Sequence, residues 1–349
     1  MKNKRFSKFL VLSILIVFLL SGCNTKYSQN PKLIKEVQFV LGTTGQIQVY
    51  SESEETGQES ISKTFNRIRD IENKMSTSIE GSDVYRLNEN KNSEYINIDE
   101  ETIYVINKGL EYYYVTSGAF NINIGALINL WGIGKETARI PSEQEITDAL
   151  QHIDIDTMAI KNNSVMLEDP LSQIELGGIA KGYAVDEATR MLREEGINNA
   201  LVNLGGDIYA LGKRYDGKPW TVGIQDPEQS SKLIASLPLT DQSIVTSGDY
   251  ERYFMEDGVR YHHIIDPETG YPVRNELRSV TIISDLAIDG DVLSTAVFIL
   301  GLEKGLELIE SLDGVEVILI TNEKEIYHSS GVNEQLNIIN KEYKIREFK

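Results

Sequence analysis

Three stretches of the chain gather residue types suited to a phosphate, a hard cation and a mobile proton. The first is Glu175-Leu176-Gly177-Gly178-Ile179-Ala180-Lys181-Gly182-Tyr183. A strand-like run enters two glycines and then a helical pattern. Glycines let backbone approach a ligand closely, and a helix N-terminus offers free N–H groups and partial positive charge to an anion. Lys181 adds a full charge in the first turn. The same residues also suit a plain tight turn with a surface lysine. The second stretch is Asp289-Gly290-Asp291-Val292-Leu293-Ser294-Thr295. On a helix, Asp291 and Thr295 are four apart and share a face. A carboxylate and a hydroxyl are hard oxygen donors, as Mg²⁺ requires. The competing reading is an aspartate that caps the helix while Thr295 packs. The third stretch is Tyr261-His262-His263-Ile264-Ile265-Asp266-Pro267-Glu268-Thr269-Gly270-Tyr271-Pro272. As a strand it sends His262 and His263 to opposite faces, so only one enters a given pocket. No HExxH motif or cysteine partner accompanies them, which argues against zinc. Either histidine could equally be structural.

Two further segments, Asn203-Leu204-Gly205-Gly206-Asp207 and Thr246-Ser247-Gly248-Asp249-Tyr250-Glu251-Arg252, read as turn chemistry. No GxSxG, P-loop or Rossmann glycine fingerprint is present in context.

The elements that must position these groups follow from periodicity. Val37 and Phe39, then Ile47 and Val49, alternate with polar residues and predict two strands around Gly42-Thr43-Thr44-Gly45. Ile61, Phe65, Ile68, Ile71 and Met75 predict an amphipathic helix. Ile103, Ile106, Leu110, Tyr113 and Tyr114 predict a second. Leu127 to Trp131 is broken by Gly132, and Glu143 to Gln151 has Ser142 as its N-cap. Ser164–Leu167 and Gln173–Leu176 read as strands, and a helix then runs to about Gly196. Strands follow at Ala200–Leu204, Ile208–Leu211, Trp220–Ile224, Val280–Ile283 and Val315–Ile320. The last helices are Ala287–Leu300, closed by Gly301, and Glu303–Leu312, closed by Gly314. The class is α+β, with no linker that divides the chain into independent domains.

The beginning of the chain reads as an address. Lys2, Lys4, Arg5 and Lys8 precede an apolar run from Phe9 to Leu20, interrupted only by Ser13. That run is shorter than a spanning helix of about 20 apolar residues and suits a secretory signal. Leu20-Ser21-Gly22-Cys23 reads as a lipobox. Cys23 is the only cysteine, so the chain forms no internal disulfide, and acylation gives that residue a purpose. The expected organisation is a lipoprotein signal over 1–22, a lipidated tether over 23–35 and one domain over 36–345. The net charge is −19, and loss of the four basic residues leaves it near −23. That balance argues against nucleic acid as a partner. It also means that an anionic ligand needs a local cation.

Six segments in series, IELGGIAKGYAVD, VNLGGD, WTVGIQDP, TSGDYERYF, HHIIDPETGYP and the DGDVLSTA helix, closely resemble the FAD:protein FMN transferase (ApbE) family. LGT at Leu41–Thr43, MSTSIEGSDVYRLN at Met75–Asn88 and SGAFNINIGALINLWGIG at Ser117–Gly134 also fit. The resemblance runs from about residue 36 to 330. It implies a single T-fold-like α+β domain that splits FAD at its pyrophosphate. FMN passes to a threonine or serine hydroxyl of a partner protein and AMP leaves, with Mg²⁺ required.

Matched residue by residue, the resemblance places metal ligands at the Gly178 carbonyl, Asp291 and Thr295. Flavin-nucleotide contacts fall on Leu41, Ser78, Ala119, Phe120, Asn121, Glu175, Lys181 and Ile265. His263 matches the catalytic histidine and is the expected base for the acceptor hydroxyl, with Asp291 as the competitor. Departures from the family pattern are Leu41 for methionine, Ser78 where tyrosine is common, Asn121 for aspartate and Glu175 for aspartate. The expected acceptor is an extracytoplasmic redox protein with a Thr-containing flavinylation sequence. The expected location is the outer face of the cell membrane, held by lipid on Cys23. The competing functions are FAD hydrolysis to FMN and AMP at the same site, and a non-enzymatic flavin-binding lipoprotein.

Overall fold

The computed structural model describes residues 30–332 and 336–347. The expected signal and Cys23 lie outside the described residues. Among those residues, no helix is long and apolar enough to cross a membrane.

In chain order the elements are β1 (Lys32–Val40), β2 (Thr43–Ser51), α1 (Glu54–Met75), α2 (Asp83–Glu89), β3 (Ile96–Asn97), α3 (Glu100–Val115), α4 (Gly125–Trp131) and α5 (Glu143–Leu150). Then come β4 (Met158–Lys161), β5 (Ser164–Leu167), α6 (Ala180–Glu194), β6 (Ala200–Leu204), β7 (Asp207–Leu211), β8 (Trp220–Gln225), β9 (Leu233–Leu239) and β10 (Gln242–Gly248). The last are β11 (Tyr253–Glu256), β12 (Val259–His262), β13 (Leu277–Ser284), α7 (Ala287–Glu310), β14 (Glu316–Thr321), β15 (Glu325–His328), β16 (Asn337–Ile338) and β17 (Lys344–Ile345).

The frame is a nine-stranded sheet in the order β1-β2-β6-β7-β10-β13-β14-β15-β17. Its pairings are antiparallel except for the last, β15 with β17. Helices α1, α6 and α7 cover one face, where Ile47, Phe65, Val185, Val202, Val280 and Val292 form the main core. The small sheet β16-β9-β8 lies on the other face and encloses Trp220, Ile234, Leu237, Ile244 and Ile318. Each strand at the centre of the large sheet therefore contributes apolar side chains both ways, a sandwich of helices, sheet and sheet. A satellite core of Leu127, Trp131, Ile146, Ile153 and Ile265 joins α4 and α5 to the loop after β12.

Several expected elements stand where the pattern put them. Ser142 caps α5 with a reciprocal capping box to Glu145. Gly132, at φ 60, closes α4. The two last helices are one span with a break at Gly301, whose φ of 80 and ψ of −177 are non-helical.

Three expectations need correction. Gln173–Leu176 is extended but joins no ladder beyond one bridge from Gln173 to Ile124. Its amides go instead to Asn88 Oδ1 (2.7 Å, from Ile174) and Ile122 O (2.8 Å, from Glu175). On α3 the buried face is Thr102, Val105, Ile106, Gly109 and Tyr112, leaving Tyr114 exposed. Gly109 causes that rotation, because Ile122 packs where its Cβ would be, 2.6 Å from Ile122 Cγ2. On β1, Val37 and Phe39 point outward and not into the core.

Candidate active site

The glycine turn and the Asp291 helix meet. Residue Gly182 lies so close to the start of α7 that a Cβ there would sit 2.3 Å from the Ala287 carbonyl oxygen. Only glycine permits that backbone approach. The contact brings the first turn of α6 against the first turn of α7. Gly182 N–H then donates to Asp291 Oδ2 at 3.0 Å, and Lys181 Nζ donates to Asp291 Oδ1 at 2.8 Å. Next along the helix, Thr295 faces the glycine turn. A Cβ on Gly178 would lie 3.7 Å from Thr295 Oγ1 and 3.2 Å from Phe120 Cε2.

The capping explanation for the aspartates fails. Helix α7 has Leu286 as its N-cap, whose side chain makes no capping hydrogen bond. It is capped from α6, where Asp186 accepts from Ala287 N at 2.8 Å and Ile288 N at 2.9 Å. Burial raises the Asp186 carboxyl to about 7. Asp291 is thus not occupied by its own helix N-terminus. It is 2 % exposed and faces a lysine.

Lys181 is held by two carboxylates. Its second partner is Asp207 Oδ2 at 2.9 Å. Burial opposes charge on the lysine, but Asp207 and Asp291 outweigh it and raise its pKa above the ordinary value. Burial raises the Asp207 carboxyl well above its ordinary value, Asp291 adds to that, and Lys181 pulls against it. Glu251, at the solvent-facing rim, is raised by its crowded surroundings and lowered by Lys181 and Arg252. Three acids around one lysine leave the locality short of positive charge. Ser247 extends the site, with its Oγ 2.9 Å from Ser294 Oγ and 3.5 Å from Thr295 Oγ1.

Asp207, Glu251 and Ser247 were not among the expected ligands. They lie in the two segments that read as turn chemistry. Sheet order brings them in, because β7 and β10 are neighbours and the turns before β7 and after β10 open at one end.

The histidine pair separates as a strand demands. His262 is buried, donates through Nε2 to Val273 O at 2.8 Å, accepts from Ile264 N at 3.3 Å and sets its edge against Phe298. It is structural. His263 is partly accessible, and the Arg252 carbonyl receives its backbone N–H at 3.0 Å and its Nδ1 at 3.3 Å. A proton on Nδ1 leaves Nε2 with a free lone pair. Burial, the Arg252 guanidinium and His262 hold His263 well below the usual imidazole range. Lys181 acts in the same sense, so the ring is neutral near pH 7.

The remaining expected contacts divide. Leu41 occupies the tip of the β1–β2 turn at φ 51, followed by Gly42 at φ 68. Both positions of this two-residue turn favour glycine or asparagine. A leucine in the left-handed region is a strained choice that points to a constraint other than stability. The neighbouring Gly205–Gly206 turn abuts it, with Gly205 N donating to Thr44 O at 3.1 Å. Ser78 is exposed in the loop after α1. Ala119 and Phe120 are buried, and Phe120 lines the space beside Gly178. Asn121 is engaged internally, giving Nδ2 to Ile153 O at 2.9 Å and accepting from Asn123 N at 2.8 Å. A ligand contact there falls to backbone. Glu175 accepts from Gly177 N at 2.8 Å, and burial raises its carboxyl. The Ile265 side chain belongs to the satellite core, so only its backbone is available. A cavity of about 780 Å³ bordered by Tyr261, Tyr271, Arg274 and Gly301 includes neither Lys181 nor Asp291 and is separate from this cluster.

The donor set suits a hard cation. Asp291, Thr295 and the Gly178 carbonyl are all oxygens, and Gly178 leaves the space in front of Thr295 open. Gly182 N–H, the amide four residues along from Gly178, is directed to Asp291 and does not claim the Gly178 carbonyl. Among the described residues no group of three or more His, Cys, Asp or Glu could form an all-protein cage. Mg²⁺ is typically held by one or two carboxylates plus substrate phosphates and water, which matches this sparse set.

These features define an α+β fold that gathers a buried lysine, hard oxygen donors and a histidine at the meeting of α6 and α7. The chain belongs to the ApbE family, whose family model matches residues 41–319. It is 33% identical over 321 residues to the FAD:protein FMN transferase of Treponema pallidum, covering 86% of this chain and 88% of that one. It is 35% identical over 297 residues to a FAD:protein FMN transferase of Klebsiella pneumoniae, covering 83% and 90%. The crystal structure of the ApbE protein of Thermotoga maritima superposes with a TM-score of 0.80 at 34% identity, covering 86% of this chain and 98% of that one. The flavin transferase ApbE of Vibrio cholerae gives 0.79 at 29% identity, covering 87% and 99%.

Proposed function

We propose that this chain is a Mg²⁺-dependent FAD:protein FMN transferase. It moves FMN from FAD to a threonine or serine hydroxyl of an extracytoplasmic redox protein and releases AMP. The relatives' activity supports the reaction class. The observation that carries the reading for this chain is the meeting of Gly178, Lys181, Asp291 and Thr295 where the first turns of α6 and α7 come together.

In this reading the chain's residues divide the work. Asp291, Thr295 and the Gly178 carbonyl hold the cation, which when bound polarises a phosphoryl oxygen and stabilises the leaving AMP. Lys181, steadied by Asp207, faces the pyrophosphate as a full charge. The N-terminus of α6, whose N-cap Ile179 has no capping side chain of its own, adds its dipole. His263 Nε2 takes the proton of the acceptor hydroxyl as that oxygen bonds to the FMN phosphorus. The bond from that phosphorus to the bridging oxygen breaks, and AMP departs with the oxygen. Positioning and charge do most of the work in such transfers.

The Cys23 lipobox supports anchoring of the mature chain to the outer face of the cell membrane, where a membrane redox protein is within reach.

The test is incubation of the protein with FAD, Mg²⁺ and a candidate acceptor, followed by mass spectrometry of the acceptor. A mass gain equal to FMN minus water, lost on chelation by EDTA, is expected. AMP release at one rate with and without acceptor, and no adduct, assigns hydrolysis instead. Flavin binding with no turnover under any divalent metal leaves a binding lipoprotein.

A further inference from the structure

Strand β1 is built the wrong way round for a core strand. Ile34 and Val40 face inward at its ends. The inward positions between them are Glu36 and Gln38, which reach Gln58 and Arg69 of α1. The apolar residues point the other way. Leu33, Val37 and Phe39 are 47%, 54% and 76% exposed, with Lys35 exposed among them. Placing the polar set against a helix and the apolar set outward reverses the pattern that specifies a strand's buried face. Such local reversals are expected where function overrides packing.

Among the described residues nothing covers this face, because the second sheet stops short of it. Tyr50, which pairs with Leu33 in the register, contacts Trp220 and Tyr215 at the margin of that sheet. Among the described residues only β1 lies beyond Tyr50, as an edge strand with one neighbour. The residues responsible precede position 41, where the family match begins.

The length of chain ahead of β1 says what covers this face. Lys32 is nine residues after Cys23. At roughly 3.3–3.6 Å per extended residue, a lipid on Cys23 keeps the strand within about 30 Å of the bilayer. A tether of that length gives a weak surface contact a high effective concentration. The chemistry also suits a lipid surface. The outward side chains of β1 carry three apolar groups, one lysine and no acid, on a chain of net charge −19. A lysine among apolar residues can bury its stem and keep its head at the interface.

We propose that the outward face of β1 rests on the membrane surface and orients the domain there. The proposal depends on the lipid-anchor reading of Cys23. Its consequence is a fixed height and direction for the active site. The β1–β2 turn that carries Leu41 adjoins the Gly205–Gly206 turn leading to Asp207, so docking β1 sets how the cleft meets a membrane-bound acceptor.

The experiment uses the full chain, processed in cells and reconstituted in phosphatidylcholine vesicles with brominated acyl chains. Trp131 and Trp220 are 0% and 6% exposed and give a constant background. Phe39→Trp and, as a second position, Leu33→Trp are compared with Tyr114→Trp on α3, also an exposed site. Mass spectrometry of the N-terminal peptide establishes acylation first. Quenching several-fold stronger at 39 and 33 than at 114 is the expected result. An acylated protein quenched equally at all three positions overturns the docking and leaves the anchor standing. Emission of the Phe39→Trp variant that shifts with protein concentration in detergent, but not with lipid, overturns it in favour of a second copy. A chain without an acyl group removes the anchor reading and the docking with it.

Discussion

Asp291→Asn lowers kcat/KM for FMN transfer by about 10³-fold, or ~4 kcal/mol of transition-state stabilisation. The substitution keeps the shape of the side chain, and one amide oxygen can still accept from Gly182 N. What it removes is the charge that a cation needs. The carboxylate has lone pairs for Lys181, Gly182 and a metal together; the amide does not. A purely structural role would instead lower the melting temperature and leave the Mg²⁺ dependence of the remaining activity unchanged. Steady-state kinetics across a Mg²⁺ titration separates these outcomes. Unaltered kcat/KM in the variant would remove Asp291 from the cation site.

His263→Gln lowers kcat by roughly 10²- to 10⁴-fold, the usual worth of a positioned general base. It also removes the acidic limb of the pH–rate profile. The sign follows from the environment. Burial and Arg252 depress the imidazole pKa, so the ring stays neutral and competent as pH falls through about 6.5, the unperturbed value. The wild-type rate therefore holds through that region and declines only below it. The same shift makes a stability statement. Below the unfolded-state pKa the unfolded chain binds a proton that the folded chain refuses, so this residue's contribution to stability falls as pH drops. An acidic limb that persists unchanged in His263→Gln assigns the base elsewhere, with Asp291 and Glu251 the carboxylates to test.

Much of the site was legible because its chemistry is local. Gly178 and Lys181 sit within one turn, and Asp291 and Thr295 share one helix face, so spacing offered them as candidates beside a plain turn and a helix cap, and the family resemblance chose between those readings. The strand periodicity likewise separated His262 from His263. What spacing could not supply was the neighbourhood of each strand. Asp207 and Ser247 read as turn residues until β7 and β10 stood side by side. The capping alternative for Asp291 fell only when Asp186, far away in sequence, was found at the helix start. The same limit explains α3, where Gly109 invites Ile122 and turns the helix. It also explains β1, whose alternation is plain in the sequence while the direction of its two faces depends on α1 and on a second sheet that stops short.

The central claim is that one cation sits between the glycine turn and the Asp291 helix while a dinucleotide lies across it. A crystal of the protein with FAD and Mn²⁺, measured for anomalous scattering, tests this directly. The expected result is a manganese peak at Asp291 and Thr295, beside the Gly178 carbonyl and a pyrophosphate oxygen. A peak elsewhere, or FAD bound with its phosphates away from Lys181, contradicts it.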